Sequence, residues 1–130
     1  MLTPTQELAY QIFDVLKHFL ESTECLFTAS LFIGGHGEIS YDLKTYREKG
    51  ANIIIGTPER VCSALENFSE LRHGIKALEV LVLDEADRLL DLGFHKSITT
   101  IFAYLPKQRR TGLFSATLTD EVLQLVKAGL

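Results

Sequence analysis

Two runs of apolar residues without a polar residue inside them, Ile53-Ile54-Ile55 and Val80-Leu81-Val82-Leu83, constrain the fold of this chain most strongly. Successive residues of a strand point to opposite faces, so strands of this kind are apolar on both faces and are usually covered on both. Stretches with apolar residues at helical spacing alternate with such runs along the chain. This alternation predicts an α/β fold with a parallel sheet, helices on both of its faces, and functional groups at the carboxyl ends of the strands.

The pattern predicts the following elements. Helices are expected over residues 4–20, 39–48, 58–68, 86–90 and 97–105, and strands over residues 25–33, 52–56, 80–83 and 111–115. Thr3 is the expected N-cap of the first helix, with Pro4 as its first residue and Gln6 completing a capping box. Gly50 is expected to end the second helix, and Thr119 to cap a last helix whose first turn is acidic.

Composition limits the class of protein. The 130 residues suffice for one domain, and 46% hydrophobic with 23% charged residues is typical of a soluble globular protein. No apolar run approaches the roughly 18 residues of a membrane helix, and the first residues do not resemble a signal peptide. A formal net charge of −4 argues against holding nucleic acid by bulk positive charge. It leaves open binding through backbone N–H groups and helix N-termini.

Cysteines and histidines give no metal pattern. Cys25 and Cys62 stand far apart in apolar surroundings, which favours two buried free thiols in a reducing compartment. The four histidines lack paired spacing, so they are interpreted as surface or loop residues rather than metal ligands.

Asp84 and Glu85 follow the strongest strand of the chain. Ionised carboxylates are costly to bury, so the pair is expected to emerge into a polar crevice, with the two side chains directed differently. One carboxylate can hold a hydrated Mg²⁺, and the other can orient or deprotonate an attacking water. Taken alone, the pair could equally have only a structural role, as the solvated end of a strand with an aspartate that caps the following helix.

The wider sequence resembles the DEAD-box RNA helicase family in five motifs that occur in the family's order and cover nearly the whole chain. These motifs are Pro4-Thr5-Gln6-Glu7-Leu8-Ala9, Gly34-Gly35, Thr57-Pro58-Glu59-Arg60, Asp84-Glu85-Ala86-Asp87 and Ser115-Ala116-Thr117. The resemblance implies part of a RecA-like domain of the P-loop NTPase type, a single partial domain over residues 1–130 without the first strand and Walker A loop. The stretch 105–117 further resembles the subgroup that acts on precursor ribosomal RNA of the large subunit.

By resemblance, Asp84 would coordinate Mg²⁺ through water and Glu85 would act on the hydrolytic water. Asp87 would form hydrogen bonds to Ser115 and Thr117, which could equally cap a helix. These five residues are the candidate catalytic group, and Asp84 and Glu85 are also the candidate cofactor-binding residues.

The resemblance also assigns a group of RNA-backbone contacts, with little sequence specificity. The candidate residues are Pro4, Thr5, Gln6, Gly34, Gly35, Thr57, Pro58 and Arg60. The glycine pair could instead be a strand-ending turn, and Arg60 a solvated helix charge. The chain departs from the family at two positions. It has Gln6 where the family usually has Arg, and Glu59 where the family usually has Gly. An inward-pointing Glu59 would weaken RNA binding through like-charge repulsion.

For the complete protein, the resemblance implies an RNA-dependent ATPase that uses ATP and Mg²⁺ and locally unwinds RNA duplexes, with ribosomal RNA processing as its expected setting. Its expected partners are RNA, a second RecA-like domain and pre-ribosomal particles, with no membrane, in the nucleus and nucleolus. The chain by itself is expected to be inactive. The alternatives are a truncated module that binds RNA or protein without catalysis, and an unrelated doubly wound domain that receives phosphate on a single aspartate.

Overall fold

The computed structural model describes residues 1–24, 26–33 and 39–129. In the described residues the helices are α1 (Gln6–Ser22), α2 (Ile39–Lys49), α3 (Pro58–Asn67), α4 (Ser69–Ile75), α5 (Ala86–Asp91), α6 (His95–Tyr104) and α7 (Asp120–Gly129). The strands are β1 (Ala29–Phe32), β2 (Ile53–Gly56), β3 (Val80–Leu83) and β4 (Arg110–Leu113). None of the described helices is both long and apolar enough to cross a membrane.

The strands form parallel pairs that the first three residues of the chain join. Strands β1 and β2 pair in parallel from Ala29 with Ile53 to Phe32 with Gly56, and β3 pairs in parallel with β4. Leu2 makes parallel bridges to both Gly56 and Leu83. Its N–H donates to the carbonyl of Val82 at 2.8 Å, while the N–H of Thr3 donates to Gly56 at 3.0 Å. The order across the sheet is therefore β1, β2, residues 1–3, β3 and β4.

Apolar side chains cover both faces of the sheet, as the strand pattern predicts. In β2, Ile55 packs in a cluster with Ala9 of α1, whereas its neighbour Ile54 packs against the larger cluster on the other face. The larger cluster is built from α3, α4, α5, α6 and α7 and includes Leu65, Leu89 and Ile98, which are fully buried. The predicted parallel α/β architecture is confirmed.

Most element boundaries lie close to those predicted, and the caps of two helices are confirmed. Strand β3 has its predicted bounds. The Thr119 hydroxyl accepts from the N–H of Val122 at 3.2 Å, in the first turn of α7. Gly50 follows α2 with a φ of 66°, the left-handed conformation that glycine adopts most readily.

The start of the first helix was predicted wrongly. Thr5, not Thr3, is the N-cap of α1, because its hydroxyl accepts from the N–H of Leu8 at 3.2 Å and the helix begins at Gln6. Thr3 is fully buried and belongs to the segment that joins the two halves of the sheet. Pro4 therefore precedes the helix, and the capping box from Thr3 to Gln6 does not form. Thr3 does not cap the helix because its backbone is hydrogen-bonded in the sheet.

Helix α4 has no counterpart in the prediction. It is short, and Leu71 is its buried residue, so its sequence carries too few apolar residues to show a helical period. Arg72 of α4 donates to the carbonyls of Leu65 and Glu66 at 2.8 and 2.9 Å. These bonds satisfy carbonyl groups at the end of α3, which a helix end leaves without intrahelical partners.

Candidate functional site

The carboxyl ends of β3 and β4 bring the two polar turns of the sequence together. The N–H of Phe114 donates to the carbonyl of Leu83 at 2.9 Å, and the N–H of Ala86 donates to Phe114 at 2.9 Å. The two strands are neighbours with a common direction, so the residues that follow them lie at one edge of the sheet. The turn at residues 84–87 is thereby held against the turn at residues 115–117.

Glu85 has the backbone conformation that forms the acidic turn. It stands at the N-cap of α5 with φ 48° and ψ 54°, in the left-handed region that costs about 1–2 kcal/mol for residues other than glycine. Its N–H donates to Oδ1 of Asp84 at 3.0 Å. This strained conformation turns the chain sharply from β3 into α5. Among the described residues, Glu24 is the other non-glycine residue with a positive φ.

The two carboxylates at the end of β3 have different surroundings. The N–H of Asp84 donates to the carbonyl of Leu2 at 3.0 Å, so the backbone of this residue is tied into the centre of the sheet. The Glu85 carboxylate lies 3.5 Å from the guanidinium of Arg88, with both side chains largely exposed. Such an exposed ion pair contributes little to stability and leaves Glu85 accessible from solvent.

Asp87 links the two turns through its side chain. The Thr117 hydroxyl donates to Oδ2 of Asp87 at 2.9 Å, and the N–H of Arg88 donates to Oδ1 at 3.0 Å. The Thr117 hydrogen bond, together with a smaller contribution from the backbone N–H of Arg88, lowers the pKa of Asp87 below its ordinary value. Asp87 is therefore an ionised acceptor at neutral pH.

Ser115 reaches Asp87 in a different way from that predicted. Its hydroxyl donates to the carbonyl of Thr117 at 2.7 Å and accepts from the backbone N–H of Asp87 at 3.2 Å. A hydroxyl carries one hydrogen, so Ser115 does not donate to the Asp87 carboxylate in this arrangement. The predicted bond between Thr117 and Asp87 is present, and the predicted Ser115 bond goes to the backbone instead.

The donor set at the end of β3 fits a hydrated Mg²⁺. Among the described residues, no three histidine, cysteine, aspartate or glutamate side chains cluster as a protein-only metal cage would require. Mg²⁺ prefers one or two carboxylates and completes its shell with waters and phosphate oxygens. Asp84 and Glu85 supply carboxylates of that kind at a solvent-accessible turn.

The candidate RNA residues lie on separate elements. Thr5 has its hydroxyl engaged in capping α1, and Gln6 is partly buried in the first turn of that helix. Thr57 and Pro58 are both buried at the start of α3, and the Thr57 hydroxyl does not cap the helix. The predicted glycines Gly34 and Gly35 lie outside the described residues.

Arg60 and Glu59 point in different directions from the first turn of α3. Nε of Arg60 donates to Oδ2 of Asp42 in α2 at 2.8 Å, in an ion pair that is largely buried. Glu59 is exposed and lines a cleft between α3 and α6 that Lys96 also lines. Glu59 therefore faces α6, whereas Arg60 faces α2. The alternative interpretation of Arg60 as a solvated helix charge is therefore wrong.

Sequence reasoning missed two residues that shape the site. Leu2 was assigned to no element, although it carries the bonds that join Asp84 to the rest of the sheet. Asp42 was assigned no role, although it is 5% exposed. A signal for Asp42 was present, because it follows Ile39 by three residues and precedes Tyr46 by four, which places all three on one helix face.

The parallel α/β fold with an acidic turn after β3 is that of a RecA-like domain, as its similarity to solved DEAD-box structures shows. The DEAD/DEAH box helicase family model matches residues 1–126, and the chain belongs to that family. It is 52% identical over 133 residues to the ATP-dependent RNA helicase DDX55 of Danio rerio, with all of this chain aligned. It is 48% identical over 130 residues to the DEAD-box ATP-dependent RNA helicase 18 of Oryza sativa subsp. japonica, again with all of this chain aligned.

Solved structures agree with this assignment. A structure of Mss116p bound to single-stranded RNA and AMP-PNP superposes with a TM-score of 0.86 and 30% identity, over 99% of this chain and 27% of that chain. A DEAD box protein from Methanococcus jannaschii gives a TM-score of 0.76 and 35% identity, over 97% of this chain and 32% of that chain. The chain spans 22% of the zebrafish protein and 20% of the rice protein, about a fifth of these relatives.

Proposed function

We propose that this chain is part of an ATP-dependent RNA helicase, in which it contributes the acidic turn of an ATPase site and part of an RNA-binding surface. Family membership supports the general activity. The observation that carries the assignment of roles is the hydrogen bond from Thr117 to Asp87, at 2.9 Å. It fixes the turn at residues 115–117 to the turn at residues 84–87, so a change at either turn alters the other.

In this proposal the roles within the acidic turn follow from their surroundings. Asp84, whose backbone is fixed in the sheet, holds Mg²⁺ through water. When bound, Mg²⁺ neutralises charge on the phosphates of ATP. The accessible carboxylate of Glu85 orients the attacking water and accepts its proton. Asp87, Ser115 and Thr117 connect the turns and couple the nucleotide site to RNA.

The proposed RNA contacts are with the sugar-phosphate backbone, which gives little sequence specificity. They involve Pro4, Thr5, Gln6, Gly34, Gly35, Thr57 and Pro58, and Arg60 belongs to the same surface through its ion pair with Asp42. The exposed Glu59 faces α6 rather than α2. This orientation supports the proposal that RNA binds in spite of the negative charge of Glu59.

The setting we propose is ribosomal RNA processing in the nucleus and nucleolus, within pre-ribosomal particles and together with a second RecA-like domain. Its support is the resemblance of residues 105–117 to helicases that act on precursor ribosomal RNA. A test is to locate the tagged full-length protein in cells and to identify RNAs crosslinked to it. Enrichment of precursor ribosomal RNA is the expected result, and enrichment of messenger RNA alone would contradict it.

ATP turnover tests the enzymatic proposal. The 130-residue chain is expected to hydrolyse no ATP, with or without RNA. A version extended at both ends to the length of its relatives is expected to hydrolyse ATP with stimulation by RNA. Glu85→Gln in the extended version is expected to abolish turnover while leaving its circular dichroism spectrum unchanged.

Turnover by the short chain would contradict its proposed inactivity. An extended protein that binds RNA without hydrolysing ATP would support the alternative of a non-catalytic binding module.

A further inference from the structure

A buried ion pair joins the first turns of α2 and α3. Nε of Arg60 donates to Oδ2 of Asp42 at 2.8 Å, and the two side chains are only 16% and 6% exposed. A second pair, between Arg47 and Glu70, links α2 to α4, but its side chains are 55% and 43% exposed. The two pairs share one helix and differ mainly in burial, so they provide a matched comparison.

The buried pair lies at the start of α3, beside the proposed RNA-contact residues Thr57 and Pro58. Strands β1 and β2 are parallel neighbours, and α2 and α3 each follow one of them in the chain. The N–H of Thr57 donates to the carbonyl of Phe32 at 3.1 Å, which fixes the start of α3 to the end of β1. A Cβ at Gly56 would come within 2.3 Å of the Phe32 carbonyl oxygen, so this close approach requires glycine.

Burial determines how Arg60 can act. Removing one partner of a buried ion pair leaves a desolvated charge uncompensated, which is far more costly than breaking an exposed pair. Arg60 is therefore retained by Asp42 instead of extending to a phosphate in solvent. The pair acts as a fixed connection between the helix that follows the glycine pair in the chain and the helix that starts at Pro58.

We infer that Asp42 is a positioning residue for RNA binding, which acts through Arg60 and sets the spacing between the starts of α2 and α3. Arg60 serves the site through this pair and adds no phosphate contact of its own. The inference rests on the proposed RNA-binding function and assigns to Asp42 a role that the sequence motifs do not include.

Salt dependence of RNA binding separates positioning from direct contact. The measurement is the affinity of the chain for a short fluorescein-labelled oligouridine, by fluorescence anisotropy over a range of salt concentrations. Asp42→Asn is expected to weaken binding about fivefold or more, at the low end of ordinary coupling between sites. The slope of log affinity against log salt is expected to stay unchanged, whereas loss of a phosphate contact reduces it by about 0.7.

Further variants keep the test decisive. Asp42→Glu retains the carboxylate and is expected to restore part of the affinity. Arg60→Gln removes the positive charge and is expected to weaken binding with an unchanged slope. Glu70→Gln, in the exposed pair, is the control and is expected to bind like the unmodified chain. If Asp42→Asn unfolds, the double variant Asp42→Leu with Arg60→Met replaces the pair by apolar side chains and is expected to bind RNA with the unchanged slope.

Several results would overturn the inference. Tighter binding by Asp42→Asn would mean that Asp42 only masks the charge of Arg60. A reduced slope in Arg60→Gln, or in the apolar double variant, would mean that Arg60 contacts phosphate directly. If Asp42→Asn folds and binds RNA like the unmodified chain, this inference is wrong and the proposed RNA-binding function stands. An unmodified chain that binds no RNA would overturn the proposed RNA-binding function of the chain and this inference with it.

Discussion

The Thr117 hydroxyl donates to Oδ2 of Asp87 at 2.9 Å, and this bond is the largest cause of the lowered pKa of Asp87. Thr117→Val removes the hydroxyl while keeping a β-branched side chain, so the pKa of Asp87 is expected to rise toward its ordinary value. Carboxyl titration by NMR measures it. Thr117→Ser retains a hydroxyl and is the control, with a pKa expected to stay low.

The sign of the effect on stability follows from the same shift. Because its pKa is lower in the folded chain, Asp87 contributes stability above its ordinary pKa, and that contribution is lost as the pH falls through the folded value. Thr117→Val is therefore expected to lose less stability when the pH falls below 3.8, the ordinary pKa of an aspartate. An unchanged Asp87 pKa in Thr117→Val would contradict the assigned cause.

The left-handed backbone at Glu85 predicts an increase in stability when the Cβ is removed. Glu85→Gly relieves the strain of φ 48° and is expected to stabilise the chain by about 0.5–1 kcal/mol, after the entropy that glycine adds to the unfolded state. Urea unfolding measures the change. Glu24→Gly, at φ 52°, should give a similar gain away from the site. Glu85→Ala keeps the strain, and a gain in that variant equal to that of glycine would refute the explanation.

Among the secondary-structure elements, strand β3 was the most predictable, whereas β1 is shorter than the predicted range 25–33. Strand β3 was predicted at its observed bounds because an unbroken apolar run has few alternative interpretations. Thr119 and Gly50 were identified from local chemistry alone, since a capping hydroxyl and a left-handed glycine act within one turn. Helix α4 was missed because its few buried residues carry no period.

Residues whose partners are distant in sequence could not be assigned. Thr3 looked like a helix cap, but its N–H is bound to Gly56, a partner that no local pattern reveals. The pairing of Asp42 with Arg60 depends on the packing of α2 against α3. Within the candidate site, the five motifs predicted which residues take part, whereas the hydrogen bond that the Asp87 N–H donates to the Ser115 hydroxyl required the geometry.

The segment 1–3 also predicts a pH dependence. The Met1 amine of this chain donates to the carbonyl of Ile54 at 2.6 Å, and burial lowers its pKa from 8.0 to about 6. Between these values the unfolded chain binds more protons, so stability is expected to rise from pH 6 to pH 8, by up to about 3 kcal/mol. Urea midpoints measured across this range test it.

An N-acetylated chain is the control for the amine, because it keeps an N–H donor and loses the titrating group. Histidines titrate in the same window, and both chains share them. A pH dependence of equal size in the two chains would assign the effect to the histidines instead.

At the scale of the whole molecule, the sheet is continuous because Leu2 bonds to β3 while its neighbours bond to β2. The same segment accepts the hydrogen bond from the Asp84 N–H. It therefore both joins the two halves of the sheet and supports the acidic turn. Leu2→Pro removes the N–H that donates to Val82 and is expected to destabilise the chain by about 3 kcal/mol or more, through the lost bond and the ring together.

Hydrogen exchange distinguishes loss of this connection from general destabilisation. In Leu2→Pro, the amides of β3 and of residues 84–87 are expected to lose protection more than those of β1, because β1 keeps its pairing with β2. Leu2→Ala is the control, since it retains both backbone bonds and loses only apolar burial. If Leu2→Ala lowered protection at residues 84–87 as selectively as Leu2→Pro, side-chain packing and not the backbone connection would be what holds the acidic turn.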